Sequence, residues 1–295
     1  MHSLAFRLLS ALLFVSVIFP SAPVFAAGNA TLMEEFRKAD YRDINKLRIL
    51  LNRFAADIGN NPEAASTEEL IFATDIASCL WNVTHAPGEQ EKVAKLGYQW
   101  AQVLYKRESQ NTSAIYFAGL NMLLYSQSKG VLDTLFALRE VKKYFDAAYQ
   151  KEPDFLHSSP PIGLGALYLF APGFPIAFGD IDKAEQYLLE AVRQSPKNTT
   201  ALVLLGAVYA KKGDRTVSLA AFRKVQKVPA WRNPSTVWEK DMDFWWHIDQ
   251  IRALQAIRAY EAGEDSKKIF ELVDNAVRNI KEPDLVKALA NERAK

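Results

Sequence analysis

The feature that most constrains this chain is its apolar periodicity. Past residue 30, apolar residues recur every three or four positions in almost every window, and no run alternates with period two for long enough to make a strand. A chain patterned this way folds as helices alone, so the expected class is all-α. Self-comparison adds a second constraint, because two adjacent stretches share one pattern at the spacing of a helix pair. The clearer stretch places Leu202, Leu205, Gly206 and Tyr209 on a first helix, with Ser218, Phe222 and Val225 on a second and Pro229 at the end.

That order of residues follows the tetratricopeptide (TPR) layout, a stack of antiparallel helix pairs. Gly206 lets the two helices cross closely, Tyr209 and Phe222 fill the space between them, and the small Ser218 avoids overpacking. The preceding unit has Leu164, Gly165, Ala166, Leu167 and Tyr168 on its first helix, then Ala184, Leu188, Ala191 and Pro196 on its second. Between its halves runs Phe170–Asp180, roughly seven residues more than a standard unit of about 34 needs. Pro172, Gly173, Pro175 and Gly179 continue neither helix, so an ordered loop is expected, carrying Phe170, Phe174 and Phe178. Asp180 is placed to cap the helix that follows.

Two weaker units lie upstream. One carries Gly119 on a helix through Tyr116–Tyr125, a helical insertion around Val131–Leu138, then Phe145, Ala148 and Pro153. The other pairs Leu70–Val83 with Lys92–Tyr105, where Ala94, Tyr98 and Ala101 keep a small-large-small spacing. Ser66 with Glu69 and Thr236 with Glu239 have capping-box spacing and mark helix starts. One unpaired helix is expected near 31–57, two more at about 236–262 and 266–280, and a short terminal one after them. The domain reading is a segment 27–64 of helix and linker, a TPR-like region 65–231, and C-terminal capping helices 232–295.

Composition narrows the function. With 49% hydrophobic and 24% charged residues a packed core is affordable, and disorder is not expected. Thirty-six basic against 34 acidic residues leave a net charge of +2, which argues against nucleic acid as a partner. The single cysteine excludes a disulfide framework and a Cys-based structural zinc site, and His2, His85, His157 and His247 have no shared helical face, so no metal is expected. Cys79, in an apolar helical stretch, reads as a buried small hydrophobe. Residues 1–26 carry Arg7, an apolar run from Leu8 to Phe19 too short to span a bilayer, Pro20, and small residues at Val24 and Ala26 flanking Phe25. This is the pattern of a signal peptide cleaved after Ala26 or Ala27, and it implies a periplasmic protein that is not a lipoprotein. Serine-nucleophile, HExxH, phosphate-loop and Cys-His signatures are absent, so no enzyme and no cofactor are expected. Asp241 with Asp243, and Glu68 with Glu69, read as helix-dipole partners. The triplets at Asn29, Asn82, Asn111 and Asn198 would matter as glycan acceptors only in a eukaryotic secretory pathway.

The run Leu164-Gly165-Ala166-Leu167-Tyr168, then Ala171-Pro172-Gly173-Phe174-Pro175, Gly179-Asp180 and Lys183-Ala184, resembles the signature of the T component of TPR-associated TRAP transporters. The half repeat ending at Pro153 and the segment Ser195-Pro196 are similar too, and the resemblance covers about residues 65–230. It implies a periplasmic, non-enzymatic helical protein that forms a ring-like homo-oligomer, typically a trimer. Such a protein docks a substrate-binding protein and holds or passes a small hydrophobic ligand. This chain lacks the lipobox cysteine that many members carry.

Two groups of aromatic residues are open to either a packing or a binding role. Leu167, Tyr168, Phe170, Phe174 and Phe178 border an apolar cleft, or the phenylalanines plug a widened helix pair. Trp238 and Trp245 share one helix face and Trp246 points elsewhere; one face packs on the stack and the other is the better partner surface. His247 reads as a surface or packing residue. The resulting expectation is an exported scaffold that binds an envelope protein, with or without a small apolar ligand. The rival is an envelope assembly or structural factor with no ligand.

Overall fold

The computed structural model describes residues 30–58, 61–84, 86–231 and 237–279. The expected signal segment, the terminal helix and Thr236 lie outside the described residues. Among those residues there is no strand, and twelve α-helices pack in succession, each against its neighbour. They are α1 (Ala30–Lys38), α2 (Ile44–Ile58), α3 (Thr67–Val83), α4 (Pro87–Arg107), α5 (Thr112–Lys129) and α6 (Val131–Lys151). The second half comprises α7 (Phe155–Phe170), α8 (Ile181–Gln194), α9 (Thr199–Lys211), α10 (Arg215–Lys227), α11 (Val237–Glu261) and α12 (Ser266–Asn279). No described helix is long and apolar enough to cross a membrane.

Helix ends follow local chemistry. Ser66 and Glu69 close a reciprocal capping box at α3, with the Ser66 amide donating to Glu69 Oε2 at 2.7 Å. Asp180 accepts from the amides of Asp182 and Lys183 at α8. Asn111 and Asn198 accept from first-turn amides of α5 and α9, a capping worth about 1 kcal/mol each. The single helix expected near 31–57 is instead two, because Asp40 and Asp43 turn their carboxylates back onto the amides of Arg42 and Lys46 and break the run at Ala39–Asp43. The insertion expected near Val131 is the first part of α6, joined to α5 through Gly130, whose φ of 125° suits glycine alone.

Burial alternates along the chain. α3, α5, α9 and most of α7 are buried on nearly every side, whereas α4, α6, α8 and α10 bury one stripe each. Within three successive pairs a glycine of the buried helix lies against a large side chain of its partner. A Cβ on Gly165 would come within 2.6 Å of Leu188 Cγ, one on Gly206 within 2.5 Å of a Phe222 ring atom, and one on Gly119 within 2.7 Å of Tyr144 Cβ. Ala184, Ala191 and Phe222 are fully buried at these crossings, Tyr209 is half-buried beside them, and Pro196 is exposed between α8 and α9.

The first turn of α7 has a conformation that the sequence does not announce. Leu156, His157 and Ser158 have φ of 52°, 53° and 70°, a left-handed turn of three non-glycine residues costing roughly 1–2 kcal/mol each. Asn198 donates to the His157 carbonyl at 3.0 Å, and the Ser158 hydroxyl reaches Gln194 and Ser195 at 2.9 and 3.0 Å, so the end of α8 and the start of α9 hold the turn. Pro160 and Pro161 follow, in the first regular turn, where their missing amides leave nothing unpaired.

α11 does more than cap the last pair. Residues 241–245 and 247–249 are all buried, and its polar groups reach both ends of the molecule. Lys240 donates to the Arg37 carbonyl at 2.6 Å, and Cys79 Sγ to Asp241 Oδ1 at 3.2 Å. Thr199 and Thr200 donate to Asp249 at 2.9 and 2.7 Å, and the Tyr260 hydroxyl to Ser218 at 2.9 Å. α12 packs on α9 and α11 and also touches α3. Leucine at Gly165 or Gly206 should therefore overpack a crossing and lower the urea midpoint by the equivalent of about 1–3 kcal/mol or more. Alanine at Gly88, where an added Cβ meets nothing within 4 Å, should leave the midpoint unchanged or slightly higher. Equal midpoints for all three variants would show that the glycines are not close-packing sites.

Candidate functional site

Three groups that can carry chemistry meet where α3 and α11 touch. Asp75 and Cys79 stand four residues apart on one face of α3, and Asp241 faces them from α11. One oxygen of each carboxylate and Cys79 Sγ lie within 4.8 Å of one another. None of the three is more than 1% exposed. Tyr41, in the turn between α1 and α2, donates to Asp75 Oδ2 at 3.0 Å, and Trp245 Nε1 donates to Asp241 Oδ1 at 3.2 Å, the oxygen that also receives the thiol. The remaining oxygens, Asp75 Oδ1 and Asp241 Oδ2, are buried without a hydrogen-bond partner.

The electrostatics follow from that enclosure. Burial, reinforced by the Asp241 carboxylate, holds Asp75 well above the usual carboxylate range; burial alone pushes Asp241 up to about 8, against the pull of the Cys79 and Trp245 hydrogen bonds. Burial and the two carboxylates raise the Cys79 thiol, and burial raises the Tyr41 phenol. Two like charges this close cannot both persist in a low-dielectric interior, so the carboxyl pair keeps a proton at neutral pH. A protonated thiol sealed from solvent is not a nucleophile for an external substrate. What the cluster can accept is a cation or a proton.

A second buried carboxylate shows the contrast. Asp249 accepts from Thr199, Thr200 and Arg252, the last at 3.1 Å; burial raises its pKa and Arg252 pulls the other way. Asp243, also buried, lies 3.4 Å from Arg42 and 3.6 Å from His247. The helix-dipole reading of Asp241 and Asp243 is thus corrected: both point into the interior, each at a named partner on another element. Glu69 serves its capping box, and Glu68 pairs with Arg37.

The aromatic residues singled out by sequence do not form one site. Leu167, Tyr168 and Phe170 are buried in the core, and Phe178 wedges against Tyr168 with ring centroids 5.5 Å apart. Phe174 is 92% exposed, which removes the plug alternative for that residue. The loop is nevertheless ordered by its own bonds: the Gly179 amide donates to the Pro172 carbonyl at 2.8 Å, and that of Asp180 to Tyr168 at 2.9 Å. Of the two roles left open for Trp245, packing is the one its 1% exposure fits, while Trp246 is half-buried and donates to the Val228 carbonyl at 2.9 Å. The side chain of Trp238 lies outside the described residues. Neither of two open cavities is lined by the five loop and α7 residues. One, of about 540 Å³, is polar and lies among Tyr105, Glu140, Lys143, Tyr144 and Gln150. The other, of about 340 Å³, lies among Ala210, Lys211, Gly213, Ser266, Lys267 and Phe270, and Phe170 sits behind its wall, 5.6 Å from the Phe270 ring.

Compared with known proteins, the chain matches no family model, and no curated protein is significantly similar to it in sequence. The site therefore has to be read from its own geometry. In ion-free protein the shared proton gives a pH dependence of defined sign. Raised native pKa values favour folding most at acidic pH, and that contribution is lost as pH rises from the ordinary carboxylate range towards about 8. Urea midpoints measured with chelator present at about pH 5 and about pH 8 should fall with pH for the parent and fall less for Asp241→Asn. Parallel pH profiles would show that the pair is not protonated.

Proposed function

We propose that this chain is an exported, non-enzymatic scaffold of TPR type, docking a periplasmic substrate-binding protein of a TRAP-type transport system. The carrying observation is the loop after α7, which holds Phe174 and Ile176 out to solvent, 92% and 65% exposed, on a backbone closed by its own hydrogen bonds. Apolar side chains presented on an ordered loop bind at little cost in ordering entropy. Phe136 on α6 is also exposed, at 83%. Lys142 of α6 lies over the Tyr168 ring at 5.5 Å.

Other observations support parts of the reading. The recurring glycine crossings in three pairs fit TPR-type packing. Enclosure of the carboxyl and thiol groups leaves them unable to meet a substrate, which fits binding without catalysis. A small hydrophobic ligand of the kind the T-component resemblance implies fits the cavity against Phe270, whose volume is that of a small-molecule pocket and whose mouth is basic.

The test is titration of the purified substrate-binding protein of a TRAP-type system from the same organism. Phe174→Ser should weaken binding about tenfold or more, as for a hot-spot aromatic, while its thermal midpoint stays within the range of a surface change, about 0.5 kcal/mol. No binding by the parent, or equal binding by the variant, would overturn the docking assignment.

A further inference from the structure

We propose that Asp75, Cys79 and Asp241 bind one divalent metal ion of the zinc class, which ties α3 to α11. The donors come as a helical pair one turn apart plus one residue from a second helix 162 positions away in sequence from the cysteine. Four-residue spacing on a helix brings two ligands to one ion. Zinc sits about 2.0–2.2 Å from carboxylate oxygen and about 2.3 Å from sulfur, so donors already within 4.8 Å close on it by side-chain rotation.

The independent sign of a missing ligand is the pair of orphaned oxygens. Asp75 Oδ1 and Asp241 Oδ2 are fully buried with no partner, although buried carboxylates elsewhere in this interior are bonded. An ion satisfies both, and a carboxylate with a free second oxygen can bind through two atoms to complete a four-coordinate shell. Tyr41 and Trp245 each donate to one carboxylate, the kind of outer contact that fixes ligand orientation in metal sites. The sulfur donor selects a borderline-soft ion over calcium or magnesium. One cysteine does exclude sites built on cysteine alone; a mixed set of two carboxylates and one thiolate escapes that argument.

Charge favours the ion too: two carboxylates and a thiolate would bring three negative charges into a closed interior, and a divalent ion leaves one. With no path to substrate, the ion is structural, and its role is independent of the docking edge.

The experiment uses the purified chain, stripped with chelator and titrated with Zn²⁺, then with Co²⁺ as a spectroscopic stand-in. One equivalent should be retained, with a thiolate-to-cobalt charge-transfer band that Cys79→Ser loses. Zinc should raise the melting temperature of the parent and not that of Asp241→Asn, which keeps the side-chain volume. Tyr41→Phe should weaken zinc about 10- to 100-fold, as outer-contact losses do. If Asp241→Asn fails to fold, the cobalt spectra of parent and Cys79→Ser decide. No retained ion, no sulfur band in the parent, or an equal zinc effect in Asp241→Asn would overturn the assignment.

Discussion

The structure depends on a helix buried along most of its length. α11 buries residues 241–245 and 247–249, so each polar group it takes inside needs a partner, and those partners determine where the helix lies. Asp249 is met by the threonines that open α9, Asp243 by Arg42 from the α1–α2 turn, and Tyr260 by Ser218 of α10. Apolar contacts are tolerant of register, whereas a buried carboxylate facing two hydroxyls is not. Sliding α11 by one residue would leave several of these groups unpaired, at about 1–3 kcal/mol each.

Against that background the α3–α11 contact stands apart. The same helix that pairs Asp249 with three donors sets Asp241 beside a second carboxylate and a thiol, with Tyr41 and Trp245 bonding only one oxygen of each acid. A chain selected only for stability would gain by placing leucine or asparagine there, since unpaired acids in a closed interior oppose folding. Two acids and a sulfur meeting at one buried point are what the metal proposal rests on.

Much of the helical order was legible because it depends on local signals. The capping box at Ser66, the cap at Asp180 and the close-packing glycines at Gly165 and Gly206 all act within a few dozen residues, and periodicity reports them directly. The break at Ala39–Asp43 was harder to read, since aspartates that fold back on nearby amides look the same in sequence as aspartates on a helix surface. The cluster was less legible still. Asp75 is the sole charge in the run Leu70–Val83, which could have flagged it, but nothing local joins it to Asp241. The left-handed turn at Leu156–Ser158 uses residues with no preference for that conformation and is imposed by side chains from α8 and α9.

The position of α11 also governs the order in which the chain can mature. In an array of helix pairs each unit leans on its neighbour, so folding can begin early and spread. Here the faces of α3 and α9 that meet α11 and α12 stay uncovered until the last part of the chain is available, since one closing contact joins residues 162 positions apart. Closing a loop of that length costs entropy before the contact rewards it, and until then the apolar faces that α11 and α12 cover are open to solvent.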